Sequence, residues 1–294
     1  MKILPGPASK ELGEKIAKLL GVEAVPVFFK VFPDGESYVR IEGAVEGEKA
    51  VIVQTTSPPQ DTRIAQLALI ADAAKRNNAR KVVAVVPYLA YARQDKAFLQ
   101  GEAVSIEAIA RMLKAAGVDS LITVNVHEKK VLEKFPFPAK SLSAIPLLAE
   151  YFRQKGFRGA FALAPDKGAI NIAEEAAKVL GGECGYLEKH RDRYTGHVSV
   201  EKREFNVKNK PVIIFDDIIS TGGTIVAAAK ILHELGAAEI YTACVHPLLV
   251  GEAEKRIREA EVAEIVGTDS IPSQVSKVSL APLIAKALKE LKSG

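Results

Sequence analysis

The chain has 294 residues, which at about 100–200 residues per domain favours two domains. Hydrophobic residues make up 48% and charged residues 26%, a globular composition too apolar for disorder over most of its length. Forty Lys and Arg against 36 Asp and Glu leave a net charge of +4, too small an excess to argue for nucleic acid or a membrane surface, and no apolar run nears the ~18 residues of a membrane span.

The N-terminus, Met1 to Pro7, has no apolar signal-peptide core, so a cytoplasmic protein is expected. Cys184 and Cys244 form no C-x-x-C pair and read as small apolar residues in a reducing compartment. The absence of Trp and scarcity of Met and Cys, beside many Lys and Glu, are a faint mark of a thermophilic source.

Along the chain, short β-branched runs alternate with amphipathic stretches. Val51–Gln54, Val82–Val86, Leu121–Val126, Ala160–Ala164, Val212–Phe215 and Ile240–Ala243 suit strands buried on both faces of a sheet. Between them, Ile64, Leu67, Ala68 and Ala71 share one helical face. Ile106, Ile109 and Leu113 share another, with Ser105 as N-cap, and Ile225, Ala228, Ala229 and Leu232 a third. Leu280 to Leu291 reads as a last amphipathic helix with Pro282 in its first turn. Repeated strand–helix alternation predicts an α/β fold of two similar domains, each a mostly parallel sheet flanked by helices. The Pro-rich Phe135–Pro138 breaks the pattern, which places the boundaries at 1–141, 142–279 and a C-terminal helix, 280–294, that packs back on the first domain.

The most informative segment runs from Phe215 to Thr224, Phe-Asp-Asp-Ile-Ile-Ser-Thr-Gly-Gly-Thr. A buried strand enters two carboxylates, then a short loop of hydroxyls and glycines, then a helix. Open α/β sheets place ligands at this edge. Gly222 and Gly223 let backbone N–H groups approach an anion, Ser220, Thr221 and Thr224 add hydroxyls, and the helix N-terminus favours negative charge. Asp216 and Asp217 accept hydrogen bonds from sugar hydroxyls. An acid pair beside a phosphate loop points to a phosphorylated sugar. The pattern is neither a Walker A loop nor G-x-G-x-x-G.

This segment resembles the ribose 5-phosphate loop of the phosphoribosyltransferase fold, with Ser220 where many relatives carry a third acid. Four further segments resemble the ribose-phosphate pyrophosphokinase (PRPP synthetase) family: Phe32-Pro33-Asp34-Gly35-Glu36, Tyr91 to Lys96, Val124-Asn125-Val126-His127 and Ala164 to Gly168. The resemblance spans nearly the whole chain. It implies an enzyme that moves the β,γ-diphosphoryl group of ATP to the C1 hydroxyl of ribose 5-phosphate, giving PRPP and AMP for nucleotide biosynthesis.

The same resemblance implies the site. Phe32, Asp34, Gly35 and Glu36 come from a neighbouring subunit and hold adenine, so a homo-oligomer of at least two chains is expected. Arg93 and Gln94 bind ATP. His127 and Asp166 hold Mg²⁺, with Asn125 where relatives commonly have an acid. Lys189 and Arg191 form the catalytic Lys-x-Arg of a mobile basic loop, and Arg191 also contacts ribose 5-phosphate. Asp216, Asp217, Ser220, Thr221, Gly222, Gly223 and Thr224 bind ribose 5-phosphate. The first domain is then the ATP side and the second the ribose 5-phosphate side, with no nucleic-acid or membrane partner. Two other readings stand beside this one. A base-salvage phosphoribosyltransferase needs the Asp216–Thr224 loop but no ATP segments. An inactive regulatory relative should have lost Lys189, Arg191, His127 or Asp166, and all four are present.

Overall fold

The β-branched runs become the inner strands of two parallel sheets, one in each of two units. The computed structural model describes residues 1–191, 198–201 and 206–291, with 188–191 and 198–201 as backbone only. Contacts gather Met1–Ser143, Ser270–Pro272 and Ser279–Gly294 into one unit, and Ala144–Asp269 with Ser273–Val278 into the other.

The first unit contains β1 (Lys2–Pro5), α1 (Lys10–Leu20), β2 (Val27–Val31), β3 (Ser37–Ile41), β4 (Lys49–Val53) and α2 (Gln60–Arg76). It continues through β5 (Lys81–Val86), α3 (Ser105–Ala115), β6 (Ser120–Val124) and β7 (Ala139–Leu142). Its sheet is parallel throughout, in the order β1-β4-β5-β6-β7. Residues 50–53 and 82–86 are buried, as strands covered on both faces must be. Leu67, Ile70, Ala71 and Ala74 of α2 and Ile106, Ala110 and Leu113 of α3 pack on this sheet in one core, and Ile64 of α2 is buried as well. Ser105 is the first residue of α3 rather than its cap, because its hydroxyl donates to Gln94 Oε1 at 3.0 Å.

The second unit contains α4 (Ile145–Gln154), β8 (Phe161–Ala164), α5 (Ile170–Leu180), β9 (Cys184–Tyr186), β10 (Glu188–Arg191) and β11 (Val198–Glu201). β12 (Pro211–Ile219), α6 (Gly223–Glu234), β13 (Glu239–Pro247), α7 (Ala253–Glu259), β14 (Glu264–Thr268) and β15 (Ser276–Val278) complete it. Its sheet is also parallel, in the order β15-β14-β13-β12-β8-β9. α8 (Ala281–Glu290), with proline in its first turn, belongs to the first unit and packs on α1.

The units repeat one order of elements. β1, α1, the β2–β3 hairpin, β4, α2, β5, α3, β6 and β7 correspond in turn to β8, α5, the β10–β11 hairpin, β12, α6, β13, α7, β14 and β15. Even β9 has a trace in the first unit, where Ala24 makes a single parallel bridge to Ile3 of β1. Both cysteines are free, Cys244 buried and Cys184 half-buried. Among the described residues no helix is long and apolar enough to cross a membrane.

Candidate active site

In the second unit, β12 runs four residues beyond the expected strand, through Ile219. Asp216 and Asp217 therefore lie within the strand rather than after it. β13 is long enough to pair with that extension, setting Asp216 opposite Cys244 and Ile218 opposite His246. Both carboxylates are half-buried, and Asp216 Oδ1 accepts the Asp217 backbone N–H at 2.8 Å. Burial, the Asp217 charge and the Asp166 charge together push the Asp216 carboxyl well above the ordinary carboxylate range. Burial, followed by the Asp216 and Asp217 charges on the neighbouring β12, raises the Cys244 thiol, so it stays protonated and inert.

The loop after β12 is three residues long, Ser220, Thr221 and Gly222, and α6 begins at Gly223. Gly222 has φ +78°, and a Cβ there would stand 3.0 Å from Ile257 Cδ1. Glycine is thus required twice over, by conformation and by the close approach of α7. Gly223 differs, since a Cβ there would meet only the Thr221 hydroxyl, at 4.0 Å. Open space lies beside it. Among the described residues the N–H groups of Thr221, Gly222 and Gly223 donate to no protein acceptor. Three unpaired donors at the start of a 12-residue helix form an anion cradle.

Asp166 sits at the end of β8, the strand beside β12, and its charge reaches Asp216. Its Oδ1 accepts the backbone N–H groups of Gly168 and Ala169 at 2.9 and 3.3 Å, capping the 3₁₀ turn Lys167–Ala169. The other carboxylate oxygen has no partner among the described residues. A carboxylate pinned by one oxygen and open at the other suits Mg²⁺, which takes one or two carboxylates and completes its shell with waters and substrate phosphates. Among the described residues no group of three or more His, Cys, Asp or Glu side chains could hold a metal ion.

Lys189 and Arg191 alternate along β10, opposite Val200 and Val198 of β11. Their side chains lie outside the described residues.

In the first unit the expected residues occupy a hairpin and two loops. Phe32 to Glu36 form the β2–β3 turn. The turn closes through Phe32 N–H to Glu36 C=O at 2.8 Å and Glu36 N–H to Asp34 Oδ1 at 3.1 Å, with Gly35 at φ +96°. Phe32 is 37% exposed and stands edge-on to Tyr38, with Lys30 Nζ 4.3 Å from its ring centre. Arg93 is exposed on the loop after β5. Gln94 uses its Oε1 on Ser105, which leaves its NH₂ group without a partner among the described residues. His127 is exposed after β6, but it does not end that strand. β6 stops at Val124, and Asn125 turns the chain at φ +36°, a left-handed conformation that Asn tolerates. Arg93, Gln94 and His127 thus follow adjacent strands. Among the described residues no hydrogen bond, ion pair or ring contact joins the Phe32–Glu36 turn to Arg93 or Gln94.

Sequence reasoning missed three groups behind the cradle: the backbone of Leu249 and Val250, and Arg256 of α7. The carbonyls of Ile219, Ser220 and Thr221 accept in turn from Leu249 N–H at 3.0 Å, Val250 N–H at 2.9 Å and Arg256 Nη2 at 2.7 Å. No residue pattern signals them, because two act through their backbone and the third sits in a charged helix that reads as solvated.

A parallel sheet built twice in one chain, bearing in its second copy an acid pair and an anion cradle at the carboxyl edge, defines a protein of the phosphoribosyltransferase fold. Residues 142–281 match the model of the phosphoribosyl transferase domain, and residues 1–117 match that of the N-terminal domain of ribose phosphate pyrophosphokinase. A ribose-phosphate pyrophosphokinase of Methanothermobacter thermautotrophicus is 43% identical over 285 residues, 96% of this chain and 98% of that one. Another, of Saccharolobus solfataricus, is 41% identical over 92% of this chain and 93% of its own. The crystal structure of phosphoribosylpyrophosphate synthetase from Mycobacterium smegmatis superimposes with a TM-score of 0.88 at 30% identity, covering 100% of this chain and 99% of that one. The chain belongs to the ribose-phosphate pyrophosphokinase family.

Proposed function

We propose that the protein is a ribose-phosphate diphosphokinase: ATP and ribose 5-phosphate react to give AMP and 5-phosphoribosyl 1-pyrophosphate. The C1 hydroxyl attacks the β-phosphorus, the β,γ-diphosphoryl group moves as a unit, and AMP leaves. The observation that carries this reading is the Thr221–Gly223 cradle with Asp216 and Asp217 beside it, in a chain that matches two-domain synthetases over nearly its whole length. A base-salvage transferase needs only one such domain.

The chain's residues act chiefly by positioning and electrostatics, as phosphoryl transfer requires. Thr221, Gly222 and Gly223 donate backbone N–H groups to the 5-phosphate, and the Ser220, Thr221 and Thr224 hydroxyls add to them. Asp217 and Asp216 orient the ring hydroxyls. Lys189 and Arg191, alternating on one strand, supply positive charge to the transferring group, and Arg191 also meets the sugar phosphate. Arg93 and Gln94 hold ATP, while Phe32, Asp34, Gly35 and Glu36 complete the adenine pocket of a neighbouring subunit in a homo-oligomer of at least two chains. The exposed ring and the acceptors of that turn support this assignment. His127 would hold one Mg²⁺ on the ATP side and Asp166 a second near the ribose phosphate, and bound Mg²⁺ would neutralise phosphate charge. A cytoplasmic location accords with the ATP such an enzyme consumes.

The test is a product assay with ATP, ribose 5-phosphate and Mg²⁺. Sugar-dependent AMP with PRPP is the expected result. ADP would mean single phosphoryl transfer and would overturn the mechanism. No turnover by a folded oligomer, with base-dependent consumption of added PRPP, would favour a salvage transferase.

A further inference from the structure

Two of the three cradle N–H groups, those of Thr221 and Gly222, share peptide planes with the Ser220 and Thr221 carbonyls, and both carbonyls are held from behind. Ile219, Ser220 and Thr221 each give a carbonyl to a donor from the segment after β13, two backbone N–H groups and one guanidinium. The first two are backbone bonds from the loop after β13, which Leu249 bends at φ +46°. Thr221 has a side-chain donor instead. Its carbonyl is taken by Arg256 Nη2 at 2.7 Å, a charge-assisted bond from the adjacent helix. At the next residue, Gly222, an added Cβ would stand 3.0 Å from Ile257 Cδ1 and 3.3 Å from the Ala253 carbonyl, so α7 lies close against the loop. The other two cations of α7 have carboxylate partners: Lys255 with Glu252 at 3.6 Å and Arg258 with Glu254 at 2.8 Å. Among the described residues Arg256 has no carboxylate partner.

We infer that Arg256 is a positioning residue for ribose 5-phosphate: it anchors the Thr221 carbonyl on the α7 side, so that the Thr221–Gly222 peptide presents its N–H to the phosphate. A peptide plane is rigid, and its carbonyl and N–H point in opposite directions. Freed from Arg256, the plane between Thr221 and Gly222 can rotate about its flanking dihedrals and turn a carbonyl oxygen toward the anion, replacing attraction with repulsion. Arg256 acts through Thr221 and not on the sugar, and its charge also lies behind the cradle, where it favours the bound anion.

This inference rests on the reading of the loop as a phosphate site, so its test carries two independent readouts. In the full-length oligomer, Arg256→Met keeps much of the side chain's bulk and removes the donor, while Arg256→Lys keeps one donor. The first readout is steady-state kinetics. Arg256→Met should raise the KM for ribose 5-phosphate roughly tenfold, the worth of one charge-assisted hydrogen bond, with KM for ATP and kcat at saturating sugar near wild type. Arg256→Lys should recover part of that loss. The second is amide hydrogen exchange of peptides covering residues 219–224 without ligand, which should quicken in Arg256→Met at unchanged melting temperature. A wild-type sugar KM in Arg256→Met would overturn the inference, as would equal losses for both substrates with a lowered melting temperature. Unchanged exchange in that variant would overturn it even if the wild-type enzyme proved to catalyse another reaction. Wild-type protein that forms no PRPP would instead overturn the proposed function, leaving exchange to decide the role of Arg256.

Discussion

Alanine at Gly222 and at Gly223 should have opposite effects, although the two residues are adjacent. At Gly222 the methyl group enters at φ +78° and stands 3.0 and 3.1 Å from Ile257 and 3.3 Å from the Ala253 carbonyl. The left-handed conformation costs an L-residue about 1–2 kcal/mol. Ile257 is fully buried, so the crowding cannot relax outward and adds on the order of 1 kcal/mol. The sum, about 2–3 kcal/mol, corresponds to a fall of about 5–10 °C in melting temperature for a unit of this size. At Gly223 the methyl meets only the Thr221 hydroxyl at 4.0 Å, and it sits at the first position of a helix. Alanine there is favoured over glycine by about 0.5–1 kcal/mol. Gly223→Ala should therefore melt at or slightly above the wild-type temperature. Its methyl group nevertheless projects into the open side of the cradle, so the KM for ribose 5-phosphate should rise at least about tenfold, a cost of about 1.4 kcal/mol. Calorimetry and initial-rate kinetics on the two variants decide the matter. A Gly222→Ala protein with wild-type melting would refute the packing of α7 on the loop. A Gly223→Ala protein with a wild-type KM would refute the placement of the phosphate.

Three further predictions follow from charges. Removing the Lys189 ammonium in Lys189→Ala should lower kcat far more than it raises either KM, and near-normal turnover would remove Lys189 from the mechanism. Asp216 binds its proton more tightly in the fold than in the unfolded chain, so its ionisation costs stability as pH rises above the unfolded value of about 3.9. Asp216→Asn in EDTA should therefore melt higher than wild type at pH 7 while losing ribose 5-phosphate binding, with the melting difference closing toward pH 4; a variant that melts lower at pH 7 would contradict this. Asp119 behaves in the opposite sense. Burial raises its carboxyl, but hydrogen bonds from Lys75 Nζ and the Val82 N–H, both at 2.7 Å, outweigh burial and bring it below the ordinary value. Asp119→Asn should cost about 1–2 kcal/mol at pH 7, and the gap from wild type should shrink as pH falls through about 4; a gap independent of pH would show that the carboxylate charge contributes nothing.

The parts of the fold that were legible are those where residue type and environment are tied together. Val82 to Val86 can be apolar without interruption only if both faces are covered, and β5 is an inner strand of its sheet. The loop at 220–224 was legible for the same kind of reason, since a helix entered through glycine and hydroxyls is costly unless an anion or a tight turn requires it. Strand ends were not legible. Nothing in Asp216-Asp217-Ile218-Ile219 says that β13 continues alongside to Pro247, so the sequence reads the acids as following a strand that in fact contains them. β2 and β3 were missed because their residues are half-buried or exposed, with aromatic and cationic side chains stacked on one face.

The two similar domains are legible in the alternation of strands and helices, but no residue motif repeats between them, and the reason lies in the same edge of each sheet. β4 is the counterpart of β12, and Gln54 to Ser57 follow it where Ser220 to Gly222 follow β12. In the first unit this edge is closed by its own hydrogen bonds. The Thr56 hydroxyl donates to the Tyr88 carbonyl at 2.7 Å and accepts the Ala90 N–H at 2.8 Å, and the Thr55 N–H donates to Ser9 Oγ at 2.8 Å. Gln54, Thr55 and Thr56 are buried, and no glycine admits an anion. The topology was kept while its chemistry diverged, so no motif recurs. Arg256 was hidden by the converse effect. Sequence displays the ligand-facing side of a loop because a ligand restricts which residues can stand there. The supporting side needs only a donor of the right length, and in Glu-Ala-Glu-Lys-Arg-Ile-Arg-Glu any of three cations would read as a solvated charge. Only the fold shows which of them reaches Thr221.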